Sequence, residues 1–147
     1  MIVENGSVLL NLDLLDNILP PFLKGCLILY RGHGGNEKEI FNLLKHLNKD
    51  CYLYLFCDLD GAGLNIAKIL SNKFNGHTSL ILPKTLDGLK KFSKDDCYIK
   101  QLSYLDKLKD DNCKNIANLA LKLKNYELAV TQESMLSHKI ELCCIDL

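Results

Sequence analysis

Apolar residues along this chain follow two rhythms. Short continuous runs stand at Ile2-Val3, Cys26–Tyr30, Cys51–Cys57 and His77–Leu82, each bounded by glycine, proline or charge. Runs of this kind read as strands buried on both faces, as in parallel sheets. Between them the spacing is helical. Glu37–Leu47 carries Ile40, Leu43, Leu44 and Leu47, the stripe of an amphipathic helix. Leu64, Ile66, Ala67, Ile69 and Leu70 repeat that spacing after the third run. Leu9–Leu19 is read as helix or helical turns, stopped by Pro20-Pro21. Strand and helix alternating up to residue 83 predict an α/β fold with a parallel sheet of about four strands.

Beyond Pro83 the pattern becomes helical. Thr85–Phe92, Leu102–Leu108 and Ile116–Leu123 are predicted as helices, the last two with lysine-rich outer faces. Asp95-Asp96 reads as a turn and Cys97–Ile99 as a short extended piece. A last short helix is expected to open at Gln132-Glu133 with Thr131 as its cap. The region 85–147 is thus a helical extension packed around the sheet.

At 147 residues and 48% hydrophobic, the chain is one domain able to bury a core. Formal net charge is zero, but it is unevenly spread: residues 84–124 hold ten Lys against six Asp, and residues 125–147 one Lys against four acids. A neutral chain draws nucleic acid only weakly through its overall field, and the lysines read first as the wet faces of helices. Seven cysteines with no C-x-x-C pair fit small buried hydrophobes in a reducing cytosol. No apolar run approaches the ~20 residues of a membrane span. These features predict a cytoplasmic chain without a membrane partner.

The candidate chemistry lies at the end of the third run. Asp58 and Asp60 follow it one residue apart, before Gly61-Ala62-Gly63. Ligands in open α/β sheets bind beyond the carboxyl ends of strands. Alternation along an extended chain points both carboxylates the same way, and a hard divalent cation relieves their repulsion. Turn and helix-cap chemistry is an equal alternative for Asp before Gly. Glu4 ends the first run, and Glu133 lies near the C-terminus. Arg31 and His33 follow the second run in a glycine-containing turn. Both read first as polar loop residues, with phosphate contact by Arg31 as the sharper alternative.

Glu4 after strand one and Asp58-x-Asp60 after strand three resemble the Toprim domain of topoisomerases, primases and related nucleases. Within that group the chain is most similar to the Toprim domain of the Wadjet anti-plasmid nuclease subunit (topoisomerase VI A-subunit-like). Glu4-Asn5, the turn Tyr30–Gly35, Asp58–Gly63 and Gln132-Glu133 carry that resemblance in order. Cys57 departs from it, since the family often has glycine there, and so does the lack of the family's N-terminal arms. The chain is therefore expected to be the C-terminal part of a longer protein or a truncated homologue.

The resemblance implies Mg²⁺- or Mn²⁺-dependent DNA cleavage in plasmid or phage defence. It assigns catalysis to Glu4, Asp58 and Asp60, metal binding to these with Glu133, and a DNA contact to Arg31. Its implied partners are DNA, other subunits of a condensin-like complex, and a second copy in a homodimer. The alternative is a non-catalytic Toprim scaffold for DNA or subunits. A haloacid-dehalogenase-like phosphatase would place its acidic pair after the first strand, and a glycosyltransferase would need a larger domain.

Overall fold

The computed structural model describes residues 1–32 and 37–147. Five strands among them form one sheet: β1 (Ile2–Val3), β2 (Leu29–Tyr30), β3 (Tyr52–Phe56), β4 (His77–Pro83) and β5 (Leu142–Asp146), in the order β2-β1-β3-β4-β5. The first four run parallel, with Ile2 opposite both Leu29 and Leu55, and Leu55 opposite Leu80. β5 returns antiparallel to β4, placing Leu142 opposite Pro83 and Asp146 opposite Ser79. The protein is therefore a mixed α/β domain with a mostly parallel sheet. Strand order reverses between β1 and β3, and the crevice beyond their carboxyl ends is where open α/β sheets take ligands.

The helices are α1 (Leu12–Ile18), preceded by a 3₁₀ segment Gly6–Asn11, then α2 (Glu37–His46), α3 (Gly61–Ser71), α4 (Asp95–Leu108), α5 (Lys114–Asn125) and α6 (Gln132–Ser137). α3 packs against α4 and α5, while α1 packs against α6. The core is continuous through the sheet and these helices. Val3, Leu55 and Phe56 of the sheet are wholly buried, as are Ala67, Leu105, Ala120 and Leu123 of the helices.

Several expectations are corrected. The sheet has five strands and the chain's last element is β5, so the region after residue 85 is not purely helical. Leu142–Asp146 has no periodic partner nearby in sequence; only pairing with β4 makes it a strand. Of the predicted strand Cys26–Tyr30, only Leu29–Tyr30 pairs. It is half-buried at the sheet edge, with Leu27 73% exposed just before it. Cys51–Cys57 is not buried throughout either, since Tyr52 opens β3 on the surface.

Asp95-Asp96 and Cys97–Ile99 are neither turn nor extended; they are the first turns of α4. Two aspartates at a helix N-terminus favour helix through its dipole. Of Thr85–Phe92, only Leu89–Phe92 is helical, and as a 3₁₀ turn. Gly88 just before it lies at φ 75°, a left-handed conformation that breaks the helix.

Candidate functional site

Parallel pairing carries β1 directly into the site. The Glu4 amide donates to the Phe56 carbonyl at 3.1 Å, so the β1–β3 ladder extends to the residue bearing the first carboxylate. Glu4 is 9% exposed, and its Oε2 accepts the Asp58 amide at 3.0 Å. The Asp58 backbone and the Glu4 carboxylate therefore meet across the strand-order reversal.

The Asp58 carboxylate faces inward. Its Oδ1 accepts the Gln132 amide at 2.7 Å and the Asn5 side-chain amide at 3.2 Å. Burial pushes the Asp58 carboxyl up to about 7; the Gln132 N–H opposes this, and the nearby charges of Glu4, Asp60 and Glu133 add to it. Glu4, Asp60 and Glu133 thus lie near enough to repel the Asp58 charge. Cys57, just before Asp58, has its thiol raised well above its ordinary range, first by burial and then by Glu4, Asp58 and Asp60, with Arg31 opposing.

Asp60 has a second role. It caps α3, its Oδ1 accepting the Gly63 amide at 2.8 Å. Both the cap chemistry and the strand-end carboxylate of the sequence reading thus apply to one residue. Burial raises its carboxyl, and the Gly63 and Ala62 N–H groups oppose the shift. Leu59, between the two aspartates, forms an antiparallel bridge with Val130, which ties the acidic loop to the segment leading into α6. Glu133, in the first turn of α6, is exposed and bonds the Ser7 hydroxyl.

Gln132 is the residue that sequence reasoning underrated. Wholly buried, it accepts the Asn5 amide at 2.8 Å and donates to the Phe56 carbonyl at 2.7 Å. Its side chain thus satisfies the Asn5 amide at the exit of β1 and adds a second bond to the Phe56 carbonyl that already takes the Glu4 amide, while its own amide holds Asp58. The available signal was a polar residue between Leu128-Ala129-Val130 and Met135-Leu136 in a short capped helix. Thr131 caps that helix as predicted, accepting the Ser134 amide. Gln132→Leu is expected to leave the Asn5 amide without its acceptor, costing about 1–3 kcal/mol in urea denaturation.

Arg31 is not a solvated loop cation. Its side chain is 14% exposed and pairs through Nη1 with Glu37, and its amide donates to the Val3 carbonyl at 3.0 Å. His33 lies outside the described residues. Part of the lysine surplus is neutralised internally: Lys84 pairs with Glu141, Lys90 with Asp95 and Glu127, and Lys124 with Asp106. Lys84 and Lys122 line a groove with Asn115 and Asn118 that borders the acidic end through Leu82, Pro83 and Leu119.

The donor set suits a hard divalent cation in its chemistry, since all four candidate side chains offer carboxylate oxygen. As the side chains stand, however, no group of three or more His, Cys, Asp or Glu among the described residues is disposed to hold one ion. Asp58 and Asp60 are turned toward backbone N–H groups. Ion binding at this place would compete with those bonds.

Fold and site together define a mixed α/β domain with a buried Glu4 and partly buried Asp58 and Asp60 where strand order reverses. The chain belongs to the family DUF7281, described as a domain of unknown function, whose model matches residues 1–144. No curated protein and no solved structure matches it.

Proposed function

We propose that the acidic end of the sheet is a Toprim-like site for metal-dependent DNA phosphodiester cleavage. Asp58 carries the reading: it is a desolvated carboxyl raised to about 7, placed at the strand-order reversal beside Glu4 and Asp60. Perturbed acids in such a crevice are candidates for chemistry. Glu4, Asp58 and Asp60 would hold Mg²⁺ or Mn²⁺, with Glu133 at the rim. A bound divalent ion supplies charge for the scissile phosphate and an activated water. The chain's own contribution is positioning. Gln132 and Asn5 fix Asp58, and the α3 cap fixes Asp60. Lys122 gives the adjoining groove a cation for a phosphate backbone, beside a Lys84 that is already paired with Glu141. DNA as substrate, a second copy or other subunits as partners, and a role in plasmid or phage defence belong to the same proposal. No described helix is long and apolar enough to cross a membrane.

The engagement of Asp58 and Asp60 by backbone N–H groups favours a second reading, a metal-free scaffold in which these acids hold loops. Two measurements separate the readings. Mn²⁺ at ~100 times its Kd should stabilise the native state by about 2.7 kcal/mol, read as a rise in melting temperature. Asp60→Asn keeps the cap, because Asn serves as well as Asp there, and removes the charge. The variant is expected to keep its melting temperature without metal and to lose both the Mn²⁺ response and plasmid nicking. An unchanged melting curve in Mn²⁺, together with equal or absent nicking by both proteins, leaves the scaffold.

A further inference from the structure

Asn115, Asn118 and Lys122 fall at i, i+3 and i+7 along α5, the spacing of one helix face. Tyr126 follows at the C-cap, four residues after Lys122. All four line the groove of about 430 Å³ beyond the exit of β4, together with Lys84 and Asp87. That volume lies in the range of ordinary small-ligand sites.

Part of the groove's polar capacity is already used. Lys84 pairs with Glu141, Asn115 Nδ2 donates to the Asp146 carbonyl at 2.8 Å, and the Tyr126 hydroxyl donates to Asp87 at 3.1 Å. Lys122 and Asn118 make no ion pair or side-chain hydrogen bond among the described residues. What stays open is a cation, an amide and an aromatic ring. Tyr126 is 45% exposed, and its bond to Asp87 limits how the ring turns. A lysine takes a phosphate, an amide takes a base edge and a ring takes a base face.

This set fits a single strand better than a duplex. Duplex affinity is built from many phosphate contacts, and this neutral chain brings one unpaired lysine to the groove among the described residues. Bases in a duplex are stacked on each other and meet a protein ring only when unpaired or flipped out. The groove shares Leu82, Pro83 and Leu119 with the small cavity lined by Asp58 and Asp60, so a strand held there lies next to the acidic end.

We propose that the groove along α5 seats an unpaired nucleotide of a DNA strand, its base on Tyr126 and its phosphate on Lys122. The proposal rests on the DNA reading above and adds the strandedness of the substrate. A fluorescent oligothymidylate is the probe, read by anisotropy on the whole chain in EDTA, with its duplex on oligoadenylate as the comparison. The single strand is expected to bind about tenfold tighter than the duplex. Tyr126→Ala should weaken single-strand binding about tenfold, whereas Tyr126→Phe, which keeps the ring, should not. Lys122→Gln should flatten the slope of log affinity against log salt by about 0.7. A melting curve for each variant confirms that it is folded. Duplex binding as tight as single-strand binding overturns the proposal. So does unchanged affinity in a folded Tyr126→Ala, or no single-strand binding up to ~1 mM protein. Chelator keeps this test apart from that of cleavage. A wild type that binds the single strand as expected but never nicks plasmid in Mn²⁺ loses the nuclease reading and keeps the groove. One that nicks plasmid but binds both forms equally loses the groove alone.

Discussion

Asp58→Asn is expected to stabilise this protein increasingly as pH rises from 4 to 7, by as much as about 4 kcal/mol above pH 7. The Asp58 carboxyl has its pKa raised from 3.8 to about 7 in the folded chain. Between those values the folded state keeps a proton that the unfolded state has released. Stability must therefore fall with rising pH across that window, and the loss is complete once the folded group ionises. Asparagine keeps the acceptor that the Gln132 and Asn5 N–H groups use, and it has no charge to desolvate. Below pH 4 the two proteins should unfold at nearly equal urea concentration. At pH 8 the variant should be the more stable. If the wild-type curve is flat from pH 4 to 8, the burial argument for Asp58 is wrong. Mn²⁺ adds a further contrast: under the proposed function it restores wild-type stability at pH 8 and does nothing for the variant.

Gly63→Ala should cost about 3 kcal/mol or more, or prevent folding. A Cβ on Gly63 would stand 2.2 Å from the Asp58 carbonyl oxygen, 2.9 Å from its carbonyl carbon and 3.0 Å from its nitrogen. All three are backbone atoms of the acidic loop and cannot swing aside as a side-chain tip would. Relief requires α3 to move off the loop, which breaks the Gly63–Asp60 cap and changes the spacing of the two carboxylates. Gly6→Ala is the control, because its nearest neighbour, the Tyr30 ring, is 3.8 Å away. That substitution should stay within about 0.5 kcal/mol. Equal denaturation midpoints for the two variants would show that the loop and α3 do not approach as closely as described.

Those close approaches explain what reading the chain could and could not reach. Local pattern was enough for α2, α3 and α5, whose apolar stripes recur within a single helix and need no partner to be recognised. It was enough for β3 and β4 too, because a continuous apolar run between turn signals leaves few other choices. The acidic positions Glu4, Asp58 and Asp60 were legible because they end such runs.

What depended on distant chain was not legible. Leu142–Asp146 becomes a strand only because β4 offers its edge 60 residues earlier in sequence, as the Cys143–Pro83 contact illustrates. Asp95–Ile99 joins α4 although its apolar spacing is poor, and its Tyr98 hydroxyl is held by the Lys124 carbonyl of α5. Leu27 lies exposed in a run that reads as buried, because the sheet ends at β2. The roles of Gln132 and Asn5 are of the same kind. Their importance comes from the Asn5 amide, which strand pairing leaves without an acceptor, and from the Asp58 carboxylate they hold, and no local window contains both those groups and the side chains that meet them. Sequence by itself determined which segments are apolar, with what period, and where carboxylates interrupt them, since these are local properties of the chain. Tertiary structure alone decided which carboxylate is buried, which backbone groups it holds and which edges pair, because desolvation and hydrogen-bond completion are set by neighbours that meet only when the chain is folded.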